Sequence, residues 1–187
     1  VGTGIYINMN INTPVTARQD GPLGQGKGFY AGRVVWNYNP EATSWDGSSS
    51  YWWDDSNTDQ TVVDNMLQET LQSLTGKENS AAAWEGLFIY FNKTKNEEKR
   101  SYSDGEIITV KLNLNTHKSY NDRDNEVDLS PQMSEALVKS LVEAGRVPPG
   151  NIYLYDASRP VADKIYTRIS EKYPEINFVD STGGKGR

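Results

Sequence analysis

Cysteine is absent from the 187-residue chain, and histidine occurs only once, as His117. The first absence excludes disulfides, thiolate nucleophiles, iron–sulfur clusters and cysteine-ligated zinc within the chain. The second leaves any catalytic triad a single imidazole, and no Gly-x-Ser-x-Gly elbow accompanies it. No apolar run approaches the roughly 20 residues of a membrane-spanning helix, so membrane insertion is not expected. Positive charge is scarce: 19 Lys+Arg against 25 Asp+Glu give a net charge of −6. That balance argues against nucleic acid or an anionic membrane surface as partner, since both require clustered cations. Hydrophobic residues make up only 36%, but they include 5 Trp, 11 Tyr and 4 Phe. An aromatic-rich core is therefore expected.

The chain length suits one domain. Residues 1–32 are dense in Gly and Pro and read as an irregular arm, with Ile5, Ile7, Met9 and Ile11 alternating as in a short edge strand. Gly24 to Gly28 lacks the Gly-Lys-Ser/Thr ending of a phosphate loop. Residues 33–187 read as a single α/β domain. Arg33–Trp36 is β-branched and aromatic and predicts a first interior strand, followed by an aromatic loop, Trp45–Trp53. A helix is predicted from Asp59 to Leu74, capped by Thr58 and closed by Gly76. A second, from Ala81 to Phe91 with Ser80 as cap, carries Trp84, Leu87, Phe88 and Phe91 as a core stripe.

After a polar connection, Ile107–Leu112 is nearly continuously apolar, as in a strand buried on both faces. Ser130 and Pro131 then open a helix that Gly145 stops. Strand Asn151–Tyr155, helix Pro160–Lys172 and strand Asn177–Val179 follow. This alternation predicts a mostly parallel sheet flanked by helices. The chain starts at Val1 and stops in a loop after the last strand, so it is expected to be a piece of a longer product.

Ligands of open parallel sheets sit outside the carboxyl ends of the strands. That rule selects Lys111, Asn113 and Asn115, which project on one side of a strand end, and Asp156, Ser158 and Arg159 at the next. A lysine in an apolar strand needs a carboxylate or a ligand to meet it, and Asp156 is the expected partner. Ser158 is placed to cap the following helix, and Arg159 offers a bidentate fork to an anion. The acidic residues Asp122, Asp124, Glu126 and Asp128 alternate as in a calcium loop. The required Gly and bidentate Glu positions hold Val127 and Met133, so no metal is assigned there. No cofactor is expected.

Gly32 to Trp36, Trp45-Asp46-Gly47, Trp52-Trp53, Asn57-Thr58-Asp59, Lys111 to Asn115, Ser130-Pro131 and Tyr155 to Arg159 together resemble the exported Bacteroidetes-type branch of domain-of-unknown-function family 362, over about Gly28 to Arg187. The resemblance implies a Lys-x-Asn strand end and an Asp-x-Ser turn as recurrent features, an exported location and a longer full-length protein, but no reaction. Relatives carry cluster-binding cysteine segments that this chain lacks, so their redox chemistry does not carry over. The strand-end pattern is also loosely similar to the amino-terminal domain of nickel-dependent lactate racemases, in architecture only. The leading expectation is a domain binding a small anionic molecule through Lys111, Asn113, Asn115, Asp156, Ser158 and Arg159. The alternatives are an exported module that binds glycan or protein through the Trp45–Trp53 loop, and a structural domain with no site of its own.

Overall fold

A computed structural model of the protein describes residues 26–95 and 97–183. The expected edge strand around Ile5–Ile11 lies outside them. Four helices, α1 (Gln60–Thr75), α2 (Ser80–Lys95), α3 (Pro131–Glu143) and α4 (Asp163–Ser170), accompany three strands, β1 (Ile108–Lys111), β2 (Ile152–Tyr155) and β3 (Asn177–Val179). The strands form one parallel sheet in the order β1-β2-β3. The α/β class with a parallel sheet flanked by helices is thus observed.

The register explains which face is apolar. Val110 pairs with Leu154, which pairs with Phe178, and Ile108 pairs with Ile152. These side chains join Val138 and Leu141 of α3 with Ile165 and Ile169 of α4 in one core. In the other parity of β1, Thr109 and Lys111 are exposed, and Ile107, just before the strand, is 60% exposed. The expectation of a strand buried on both faces is therefore corrected. β1 lies at the margin of the described sheet, and its run Ile-Thr-Val-Lys alternates as a half-wet strand does.

The helix ends follow local chemistry. Ser130 Oγ accepts the Met133 N–H at 3.2 Å, Pro131 occupies the first turn of α3, and Gly76 closes α1 at φ 64°. Two expected caps move by one residue. Asp59, not Thr58, caps α1 through the Val62 N–H, while Thr58 donates its hydroxyl to the Trp52 carbonyl. Asn79, not Ser80, accepts from Ala82 at the start of α2. α4 begins at Asp163 rather than Pro160, because the Val161 N–H is bonded to Asp180 and the Asp163 N–H to the Tyr120 carbonyl.

Arg33–Trp36 is not a strand. It is an extended segment laid across α1: Arg33 donates to the Ser73 carbonyl and Asn37 to the Met66 carbonyl. Val34 and Trp36 point outward, 89% and 81% exposed, so a β-prone composition here serves a surface strap. Phe91 is likewise exposed, while Trp84 and Phe88 of the same helix pack on the core.

The face assignment has a measurable consequence. Leu154→Ala should cost about 2–5 kcal/mol in urea unfolding, as buried leucine truncations do. Thr109→Ala, on the wet face of β1, should stay within about 0.5 kcal/mol. Equal costs would mean that the sheet has been assigned the wrong apolar face.

Candidate functional site

The carboxyl edge of the sheet is organised around one carboxylate. The Leu112 N–H bonds the Tyr155 carbonyl at 2.7 Å and the Asp156 N–H bonds the Val179 carbonyl at 3.1 Å, so the ladder runs one residue past β1 and β2. This carries the Asp156 side chain into the seam between strand ends, where the residue is 3% exposed. One oxygen, Oδ2, accepts from Lys111 Nζ at 2.9 Å and from the Leu114 N–H at 3.1 Å. The other, Oδ1, accepts from the Ser158 N–H at 2.9 Å and its hydroxyl at 2.8 Å. Burial alone would favour the protonated acid, but the donors from Lys111, Ser158 and Leu114 outweigh it and hold the carboxyl well below the usual carboxylate range.

The next strand repeats the device. Asp180 Oδ1 accepts from the Thr182 N–H and hydroxyl at 2.8 and 2.7 Å, and Oδ2 accepts from the Val161 N–H at 3.3 Å. Against the opposing effect of burial, bonds from Thr182, Val161 and Tyr120 keep this carboxyl ionised below its ordinary range too. Asp-Ala-Ser at 156–158 and Asp-Ser-Thr at 180–182 are one local motif used twice. The repetition of Asp-x-Ser/Thr directly after two strands was the sequence signal for Asp180.

A third buried carboxylate, Asp128, accepts from the N–H of Thr116 at 3.0 Å and from its hydroxyl, and lies 3.5 Å from Nε2 of His117. The neighbouring acids of this loop also have structural partners. Asp122 accepts from the Lys118 N–H, Asp124 from the Glu126 N–H, and Glu126 pairs with Lys118 Nζ. Among the described residues no group of three or more His, Asp or Glu side chains is placed to hold a metal ion.

Of the six residues selected from sequence, Lys111, Asp156 and Ser158 come together by direct bonds. Asn113, Asn115 and Arg159 lie on the adjoining surface, exposed and with no side-chain hydrogen bond to the described residues. Leu112 and Leu114 point into the core, as the alternation requires. Two expectations change. Lys111 is not deeply buried, since its side chain keeps 49% of its exposure. Ser158 caps no helix: α4 has Ala162 at its N-cap, and the serine is committed to Asp156.

The Trp45–Trp53 loop docks on the same edge. Its indole N–H groups donate to the carbonyls of Ser49, Glu126 and Asp124 from Trp45, Trp52 and Trp53 respectively. Trp53 stacks on Tyr51 with centroids 4.7 Å apart. Away from this edge, a cavity of about 640 Å³ opens between Glu41, Asp55, Asp59 and two cations, Arg168 of α4 and Lys172 just after it. Those cations already bond Asp55, Gln60 and the buried Glu135. Comparisons with protein-family models, with curated proteins and with solved structures find no match for this chain.

Because Asp156 serves four donors, Asp156→Ala should cost about 3 kcal/mol, leaving buried N–H groups without an acceptor. Lys111→Met, which takes one of two donors from a buried carboxylate oxygen but leaves three donors on the group, should cost about 1–2 kcal/mol, less than Asp156→Ala. The folded-state pKa of Asp156 is depressed, so its stabilisation is complete above the unfolded value of about 4 and declines as pH falls below it. Stability measured by denaturant titration from pH 6 to 2 should thus fall less steeply in Asp156→Asn than in the parent chain. Parallel curves would show that this carboxylate does not set the acid limb.

Proposed function

We propose that this α/β domain binds a small anionic molecule, carrying phosphate or carboxylate, at the carboxyl edge of its sheet. Lys111 and Arg159 supply charge, Asn113 and Asn115 orient the ligand through their amides, and Asp156 with Ser158 holds the strand ends in place. The supporting observation is an imbalance of donors and acceptors at the surface. The carboxylates of the edge, Asp156 and Asp180, are buried and bonded. The cations are more open: Lys111, though bonded to Asp156 and to the Leu112 carbonyl, is half-exposed, and Arg159 is exposed without a bonded partner among the described residues. What this edge presents outward is thus the Arg159 guanidinium and the Asn113 and Asn115 amides without acceptors, next to a half-exposed Lys111 that has a donor to spare, and an oxyanion supplies what they lack. The resemblance to family 362 is compatible with this reading through the same Lys-x-Asn and Asp-x-Ser residues, and adds no reaction to it.

A glycan role for the Trp45–Trp53 loop has less support, because all three indole N–H groups are engaged within the protein.

The test is thermal unfolding against inorganic phosphate and citrate. Selective binding raises the melting temperature with concentration, by about 2.7 kcal/mol of stabilisation at a hundredfold excess over Kd. Lys111→Met and Arg159→Met should each reduce that response at least tenfold in apparent Kd while the unliganded proteins stay folded. Absence of any shift with both anions, or an undiminished shift in the double variant, would remove the proposal.

A further inference from the structure

His117 is completely buried at a junction of four segments. Its own loop contributes the carboxylates of Asp128, 3.5 Å from Nε2, and Asp122. From α4 comes the ammonium of Lys164, and from the turn after β2 the Pro160 carbonyl faces the ring. The aromatic loop closes the junction with Trp53, whose ring centroid lies 5.1 Å from Lys164 Nζ and whose indole N–H holds the Asp124 carbonyl. On the far side of the aromatic pair, the exposed Arg123 lies over Tyr51 and Trp53, 5.2 and 5.4 Å from the ring centroids. Neither imidazole nitrogen, nor the buried Lys164 ammonium, reaches a partner with hydrogen-bond geometry among the described residues.

Such a junction tolerates a neutral ring and resists a charged one. A proton on His117 would place a second positive charge beside Lys164 in a site without water contact for either group. Asp128 is a counterweight at a distance: its carboxylate is turned to Thr116 and lies 3.5 Å from Nε2 without hydrogen-bond geometry. The balance favours the neutral ring: burial first and Lys164 second push the His117 pKa below its ordinary value, against the pull of Asp128, the Pro160 carbonyl and Asp122.

We propose that His117 and Lys164 form an acid-sensitive latch. With His117 neutral, the 116–128 segment is clamped between α4 and the aromatic loop; protonation of His117 releases the segment from α4. The sign follows from linkage. The released segment takes up its proton at about the free-histidine value near 6.5, the clamped one only below it, so acidification through that window favours release and the effect levels off below the clamped-state value. Each unit of difference between the two values changes the release equilibrium tenfold. The latch is a property of the unliganded protein and stands independently of the anion-binding reading.

The experiment is amide hydrogen exchange between pH 7.5 and 5, corrected for intrinsic rates, with tryptophan fluorescence read in parallel and no ligand present. Exchange across 116–128 should rise about tenfold or more on acidification, with a change in Trp53 emission, while β2 and α3 amides keep their protection. His117→Gln should remove the pH response, and Lys164→Met, which keeps the imidazole but removes the repelling charge, should shrink it. The latch is refuted if His117→Gln opens with acid as the parent does. A full response in Lys164→Met, or release of the segment only together with β2 and α3, refutes it equally; the lysine variant decides the matter should the glutamine variant not fold.

Discussion

The ends of two neighbouring parallel strands, β1 and β2, are joined by a carboxylate that follows the middle strand of the sheet. Asp156 ties the tip of β1 through Lys111 and the Leu114 N–H, and folds its own chain back through Ser158. No strand here is longer than four residues, so the backbone ladder supplies few bonds. A buried acceptor with four donors fixes where β1 leaves the sheet. It therefore fixes which of the residues after Lys111 face the core and which face water. An ionised carboxylate can stay at this depth only because each oxygen is met twice. The same condition leaves it no capacity to act as a base or as a metal ligand.

This dependence shows why part of the site was legible in the sequence. A lysine at the end of an apolar run and an aspartate at the end of the next are a charge pair that the parallel order brings side by side, and the observed pairing of Lys111 with Tyr155 does so. The inward turn of Leu112 and Leu114 follows from alternation alone. What sequence could not supply was depth. Lys111 escapes burial because the second face of the described sheet is only partly covered, which no periodicity within β1 announces.

The errors have a common cause. Arg33–Trp36 has strand composition, and Phe91 lies at the spacing of a core stripe, yet both end up exposed. Local pattern reports which side chains could be buried together; whether a partner layer exists is a tertiary fact. Helix starts failed by one residue for a related reason. Thr58 and Ser80 are competent caps, but Thr58 is drawn to the Trp52 carbonyl, and at α2 the preceding Asn79 reaches the first-turn N–H. Where the cap also had proline behind it, at Ser130-Pro131, the boundary came out as expected.

The acidic loop illustrates how a negative result becomes structural. Its alternating carboxylates do not satisfy a calcium loop, and in the fold each is engaged elsewhere. Asp122 and Asp124 brace turns, Glu126 meets Lys118, and Asp128 fastens Thr116. The carbonyls freed by those turns receive the indoles of Trp52 and Trp53, so acid-rich and aromatic-rich segments form one unit on the carboxyl edge. Its carboxylates are thereby committed to turns and to Lys118, while Arg159 faces solvent unpaired and Lys111, paired with Asp156, stays half-exposed. In a chain of net charge −6, an edge that leaves Arg159 unpaired and Lys111 half-open is the departure from the average on which the proposed anion site rests.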